Sequence, residues 1–471
     1  LAELKKIFKQ ILRIIFAREL YLSLDLFKAF PFIENFYRNR RLLTLLTVTT
    51  HITFLLIIIL GLFGPEDYHS NVAIYIAWGL WWPSIVLSWF FVGRLWCCFC
   101  PFPTPGKLIQ RLIKLIWLRP LPAYLRKNGT LWSVILLGII FWVEETTDML
   151  YSPRATVYLM LSILTAATIM SVLFPRQTWC RFLCPLGRMI GVGATLSIVG
   201  IRPDFNKCRS CGTFACKRGT ETQEGCPVYL GAFNIRNNFD CLMCGKCVKL
   251  CNQGSPSIYL RSPFSELIIN KGRYITCTYF VPVMVGSQIS RFMKQGFLYP
   301  YELAYSMTWD MLIYGFVFIA CTLFVQALIR MGDRLFGLVP DQLFGSYSPM
   351  VPIFLPMAFV GELIYRLNYT IMEAPHFFPT LGRQFGMDLD AWTFKVPPML
   401  INGLDICLLI GGALAGEYVL DRLADEDFGD TMSHAQYSRI QWFIRILMAS
   451  YLTMLAFSHN ALKVPLQLTA G

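Results

Sequence analysis

Residues 42–63, LLTLLTVTTHITFLLIIILGLF, run without one Lys, Arg, Asp or Glu. That matches the ~20 apolar residues a helix needs to cross a bilayer. In lipid such a segment has only the helix or a closed barrel open to it, because every backbone polar group must be satisfied internally. Comparable stretches recur over about 72–93, 131–151 and 155–175, then near 307–330, 349–371, 398–420 and 441–460. Residues 275–290, ITCTYFVPVMVGSQIS, are apolar but short, so the count is eight or nine. Composition agrees: 15% of the 471 residues are charged and mean hydropathy is +0.50, against roughly a quarter charged in soluble domains.

Charge orients the spans. The chain carries 42 Lys and Arg against 29 acids. In a soluble protein that excess would suggest nucleic acid; here it reads as positive loops held at one membrane face, with no nucleic-acid partner. Residues 1–41 hold nine Lys/Arg against four acids and residues 94–128 seven against none, while 64–71 and 144–154 are acidic on balance. The N-terminus and the 94–128 loop are therefore expected inside a cytoplasmic (inner) membrane. The opening residues, LAELKKIFKQILRIIFAREL, form a basic amphipathic pattern suited to the headgroup plane, and no cleavable signal peptide is visible.

A second feature is chemical. Cys208 to Cys251 holds eight cysteines. Its second half reads Cys241-x-x-Cys244-x-x-Cys247-x-x-x-Cys251, the iron–sulfur run in which three thiolates hold one cluster and the fourth reaches to another. The first half is looser: Cys208, Cys211, Cys216 and Cys226-Pro227. Exchanging fourth ligands gives two 4Fe–4S sets: Cys208, Cys211, Cys216 with Cys251, and Cys241, Cys244, Cys247 with Cys226. A zinc module wants two separated pairs, and thiols this crowded do not all form unstrained disulfides. Asn252 stands where Pro usually follows such a run. Clustered thiolates also fit a reducing compartment.

The first four spans contain an internal repeat. GRLWCCFCPFPTPGKLIQ follows the second and PRQTWCRFLCPLGRMIGV the fourth. Both turns are expected at one membrane boundary, where Cys97, Cys100, Cys180 and Cys184 converge on a third cluster, a metal or a redox thiol centre, with Cys98 as a substitute. Buried free thiols are the plain alternative.

Two such turns before a two-cluster insert resemble the membrane polyferredoxins that act as quinol dehydrogenases for periplasmic nitrate reductase and as partners of nitrous oxide reductase, the NapH and NosR type. The resemblance covers roughly residues 42–262. It implies that the four-helix unit exchanges electrons with the quinone pool and that the clusters carry them. The Cys180–Cys184–Pro185 turn matches the family motif. The first turn departs from it: Cys97 to Cys100 is one residue short and Trp96 occupies the matching position, which tells against symmetric roles for the two turns.

The expected fold is thus an all-α integral membrane protein with an inserted ferredoxin-like two-cluster α+β domain. Residues 1–41 form a basic amphipathic cytoplasmic or interfacial segment, 42–201 a four-helix unit, 202–262 the insert and 263–471 further membrane helices. The expected function is electron transfer between quinone and a protein redox partner, in a multi-subunit respiratory complex. Alternatives are a copper reductase serving assembly of a respiratory enzyme and a redox-coupled ion-translocating subunit. For the latter, Glu362 and Arg366, four apart on one helix, and Asp405 are candidate proton or quinone residues. Glu417 carries the same ambiguity, and Tyr365 could hydrogen-bond a quinone. His51 with His459 is the one pairing that suits a haem, although His51 reads better as a packed polar residue. No catalytic residue, Walker loop or dinucleotide fingerprint is evident.

Overall fold

A computed structural model of the chain describes residues 2–16, 19–113, 119–269, 276–295, 307–339, 342–427 and 433–458. In chain order, α1 (Ala2–Phe16) leads to β1 (Ser23–Asp25), α2 (Pro31–Asn39), α3 (Arg41–Phe63) and α4 (Val72–Val92). Next come α5 (Trp96–Phe99), α6 (Thr104–Ile113), α7 (Ala123–Thr146), α8 (Pro153–Leu173) and α9 (Pro185–Gly193). β2 (Val199–Pro203), α10 (Lys246–Leu250) and β3 (Pro256–Arg261) follow. The last helices are α11 (Cys277–Met293), α12 (Met307–Leu335), α13 (Met350–Glu373), α14 (Pro398–Asp427) and α15 (His434–Ser458).

Eight of these helices (α3, α4, α7, α8 and α12 to α15) are long and apolar enough to cross a bilayer, so this is a multi-pass membrane protein. The exposed Leu45, Val48, Ile52, Leu55 and Ile59 of α3 suit a lipid-facing helix, whose backbone is internally bonded. The span expected over 131–151 begins earlier, at Ala123: the polar turn AYLRKNGT is helical too. It also ends earlier, because Asp148 adopts φ 44 and breaks the helix.

By internal contacts the chain forms two compact units: residues 1–58, 87–133 and 158–269, and residues 59–86, 134–157 and 270–471. The first unit contains a three-stranded sheet of order β1-β3-β2, antiparallel throughout, with Ser23 opposite Arg261 and Gly200 opposite Tyr259. One face packs on Phe27, Tyr37, Ile201, Val248 and Ile258 together with Cys216, Cys241 and Cys247. The N-terminal segment, expected as a cytoplasmic or interfacial piece, supplies an edge strand and part of this core, while Phe8, Leu12 and Phe16 of α1 stay exposed. Buried Glu266 ties the sheet to the segment before Cys241. It accepts from Arg202 of β2 at 3.0 Å, from Arg261 of β3 and from the Asn238 amide at 2.6 Å.

In the second unit, α11 runs antiparallel to α12 along most of its length. Lys294 meets Asp310 at one end, Gly286 abuts Thr322 midway, and Tyr279 stacks on Phe344, beyond the far end of α12. Its 17 residues extend about 26 Å at 1.5 Å per residue, so the ambiguous apolar stretch traverses the bundle. α13 is the most buried of the spans. It packs antiparallel to α14, with Asn368 bonded to Asp405 at 2.9 Å and Gly412 against Val360.

Candidate metal and electron-transfer site

The Cys-Pro turns differ in length by one residue, and local winding absorbs the difference. The first turn is α-helical, Trp96–Phe99, ending at extended Cys100. The second, Trp179–Leu183, is π-wound and ends at extended Cys184. A π turn accommodates one more residue than an α turn before the chain exits, so the i,i+3 pair of one repeat corresponds to the i,i+4 pair of the other. Both cysteines precede Pro; Pro185 takes the N1 position of α9, where no amide is needed, while Pro101 lies in the turn before α6. The Cys184 sulfur also caps α9, accepting from the Gly187 amide at 3.2 Å.

These thiols feel one another. Cys100 is pushed well up by burial and then by Cys180, Cys97 and Cys184. Cys180 rises through burial, Cys184 and Cys97. Burial pushes Cys184 up to about 11 against the opposing pull of the Gly187 amide. Buried Arg94 lies alongside, its Nη2 4.0 Å from Cys97 Sγ and its Nη1 donating to the Phe239 carbonyl at 2.5 Å. Three raised thiols, Cys100, Cys180 and Cys184, with Cys97 and a guanidinium beside them, form an environment that a thiophilic cation relieves, since binding demands thiolates and releases their protons. Cys98 does not substitute among them. It points to Cys244 and donates to that sulfur, which holds Cys244 down to about 6 and Cys98 far up.

The eight cysteines of the insert fall into two neighbourhoods. Cys226, Cys241, Cys244 and Cys247 line one pocket with Ile201, Pro227 and Lys246. Cys241 is pushed up to about 12, first by burial, with Cys244 and Cys226 adding to it. Cys216 is raised by burial and by Cys251, Cys208 and Cys211. Ser255 joins the ends of this second group: its Oγ lies 3.1 Å from Cys208 Sγ and its amide donates to Cys251 Sγ at 3.4 Å. Cys247 and Cys216 share one buried core cluster, and Cys247 feels Cys216 after its nearer neighbours. Among the described residues, no three Cys, His, Asp or Glu side chains gather tightly enough to hold a single ion.

Local structure sets these positions. Asp204 caps the short helix bearing Cys208, accepting from the Asn206 amide at 3.0 Å. Asn238 fixes the approach to Cys241, donating to the Val199 carbonyl of β2 at 2.7 Å. Gly245 takes φ 65 between Cys244 and Cys247, a conformation that costs glycine little. Main-chain amides point at sulfur: Leu230 N to Cys226 at 3.3 Å and Ala232 N to Cys216 at 3.4 Å. Such donors stabilise bound thiolates, so the donor set fits iron–sulfur ligation.

The other sequence candidates are placed as follows. Glu362 and Arg366 pair at 2.8 Å as their spacing suggests, within a larger buried network of Glu144, Glu145 and Arg291 that the sequence reading missed. A double Glu closing one apolar span and an Arg inside another were its only sequence signal. Asp405 is bound by Asn368, and Glu417 by Arg445. Tyr365 donates to Glu145 at 3.3 Å. His51 bonds to the Thr47 carbonyl and Thr104, as a packed polar residue does; His459 lies outside the described residues.

No family model matches this chain, and no solved structure does. It is 27% identical over 178 residues to an uncharacterized protein of Methanocaldococcus jannaschii, covering 37% of this chain and 67% of that one. A stretch of 81 residues, 17% of this chain, is 33% identical to YccM of Escherichia coli, a protein named for a proposed role in electron transport. That match spans 20% of YccM's length. The likeness supports electron transfer in coarse terms.

Proposed function

We propose that this chain is a membrane iron–sulfur electron-transfer protein of the polyferredoxin quinol dehydrogenase type, passing electrons between quinone and a protein redox partner. The observation that carries this reading is the sorting of eight thiols into two groups of four, each completed by a cysteine from the other half of the run. Cys226 lines the pocket of Cys241, Cys244 and Cys247, and Ser255 ties Cys251 to Cys208. Bound 4Fe–4S groups would supply one-electron storage. The chain's own residues hold the sulfurs, direct amides at them and place Cys247 of one group and Cys216 of the other in one buried core cluster. Lys246, on the pocket wall, and Arg40, donating to the Cys244 carbonyl at 2.9 Å, add positive charge that favours the reduced state. With basic loops inside, the insert faces the cytoplasm.

The test is iron and acid-labile sulfide per chain on anaerobically purified protein, followed by reduction with a quinol analogue under EPR. About eight iron is expected from two four-iron groups, and about twelve if the Cys-Pro turns hold a third. Cys244→Ser should lower iron by about half and stop quinol-dependent reduction. Full iron or unchanged reduction in that variant would overturn the wiring. The electrostatic influence of Cys97 on Cys100, Cys180 and Cys184 supports one second reading, a thiophilic copper site in a metal reductase. Copper retained at stoichiometry, with no reduction of the clusters by quinol, would support it.

A further inference from the structure

The second unit holds a chain of alternating charges among its buried helices. Glu145 of α7 meets Arg291 Nε of α11 at 2.5 Å, and Arg291 Nη1 reaches Glu362 of α13 at 3.4 Å. Glu362 accepts from Arg366 Nε at 2.8 Å, and Arg366 Nη1 donates to Glu144 at 2.6 Å. The order is Glu145, Arg291, Glu362, Arg366, Glu144. Exposure of the five side chains runs from 1% to 14%.

Three carboxylates thus face two guanidiniums. Glu362, in the middle, takes contacts from both; Glu144 and Glu145, at the ends, each meet one. Among the described residues, other charged and titratable groups around the cluster leave the imbalance in place. Lys294 of α11, whose Nζ donates to the Glu145 carbonyl at 2.9 Å, is met by Asp310 of α12 at 3.6 Å. Tyr314, Tyr365 and Tyr451 approach from α12, α13 and α15 as neutral phenols. Ionised side chains among membrane helices are costly and pair with one another. One uncompensated carboxylate among membrane helices is therefore strongly driven to take up a cation, and a proton is the smallest.

A second observation points to exchange. Arg291 Nη2 and Arg366 Nη2 are buried donors with no hydrogen-bond partner among the described residues. Buried polar donors of this kind are commonly satisfied by water, and water is the carrier a proton needs. Beyond Arg366 on α13 begins a row of packed tyrosines. Tyr369 donates to the Leu150 carbonyl at 3.0 Å, its ring lies 6.1 Å from Tyr151, and Tyr151 lies 5.0 Å from Tyr68 in the loop between α3 and α4.

We infer that the five-residue charge chain binds one exchangeable proton on a terminal carboxylate, reached from the end of the unit that carries Tyr68 and Tyr151. This proton site does not depend on the thiol groups, so its test reads no electron flow. Infrared spectra of the full chain in lipid vesicles at neutral pH should show the carbonyl stretch of a buried carboxylic acid, shifting on transfer to D2O. Glu144→Gln or Glu145→Gln should abolish the band. Glu362→Gln should abolish it as well although both terminal carboxylates remain, because two carboxylates then balance two guanidiniums. Monodisperse elution and an unchanged melting midpoint check that each variant folds, and any one folded variant suffices. No such band in the wild-type protein, or a band that survives all three substitutions, would overturn the proton site; a band unmoved by D2O would overturn the aqueous route.

Discussion

Glu224 stands between Arg111 at 2.8 Å and Lys246 at 3.3 Å, joining α6 to the helix that carries Cys247. The Arg111 hydrogen bond, aided by Lys246, lowers its carboxyl from the usual 4.5 to about 2. A depressed carboxyl contributes stability that is present above its unfolded pKa and is lost as pH falls through the folded value. The window here runs from about 4.5 down to 2. The side chain is half exposed, so solvent screening keeps the contribution within about 1 kcal/mol. Melting curves of wild type and Glu224→Gln should therefore differ at pH 6 and converge toward pH 2. Cys98 offers a second test at this scale. Its thiol donates to Cys244, and donors to cluster sulfur help set potential. Cys98→Ala should keep the iron content and lower the midpoint of one cluster in a redox titration. The eight thiols are legible from spacing alone. Ser255 and Arg94 are not, since each reaches its sulfur through folding and no local pattern marks it.

Among elements, the two Cys-Pro turns show a mismatch that backbone winding repairs. Read as letters, Cys97–Cys100 and Cys180–Cys184 cannot superpose; as an α turn and a π turn each carries its first Cys in the turn and its second at the exit. Hydrogen-bond register within one turn is invisible to periodicity counting, which assumes a single winding throughout. The strand β1 was missed for a related reason. Three residues, SLD, carry no alternation worth reading, and they become a strand only because β3 offers an unpaired edge. Gly245 ties these elements to the site. A Cβ there would lie 2.1 Å from the Tyr37 ring of α2, at φ 65. Gly245→Ala should cost about 1–3 kcal/mol through overpacking, seen as a lower melting midpoint and faster iron loss on heating.

For the whole molecule, the spans were recoverable to within a few residues at most ends because bilayer thickness imposes their length. The ambiguous stretch was not, since 17 residues satisfy a short span and a re-entrant piece alike. Its neighbours bear on it: α11 runs antiparallel to α12 along most of its own length, and if it spans the bilayer beside the eight long apolar helices of the described residues, the spans number nine. Loop 64–71 and the end of α15 then fall on the same face, opposite the start of α11. If basic loops mark the cytoplasm, a reporter fused after the last helix should be active only when it is an extracytoplasmic type. Activity of a cytoplasmic reporter at that position would return α11 to a re-entrant role.

Local sequence determined the membrane helices, their orientation rule and the identity of the eight insert thiols, because hydropathy and ligand spacing are properties of neighbouring residues. Tertiary structure alone decided which thiols share a neighbourhood, that Cys98 serves Cys244 and not the Cys-Pro turns, and that Glu144, Glu145 and Arg291 join Glu362 and Arg366. Those are meetings of side chains from separate helices and loops. Their energies depend on burial and on distance through space, quantities that separation along the chain does not encode.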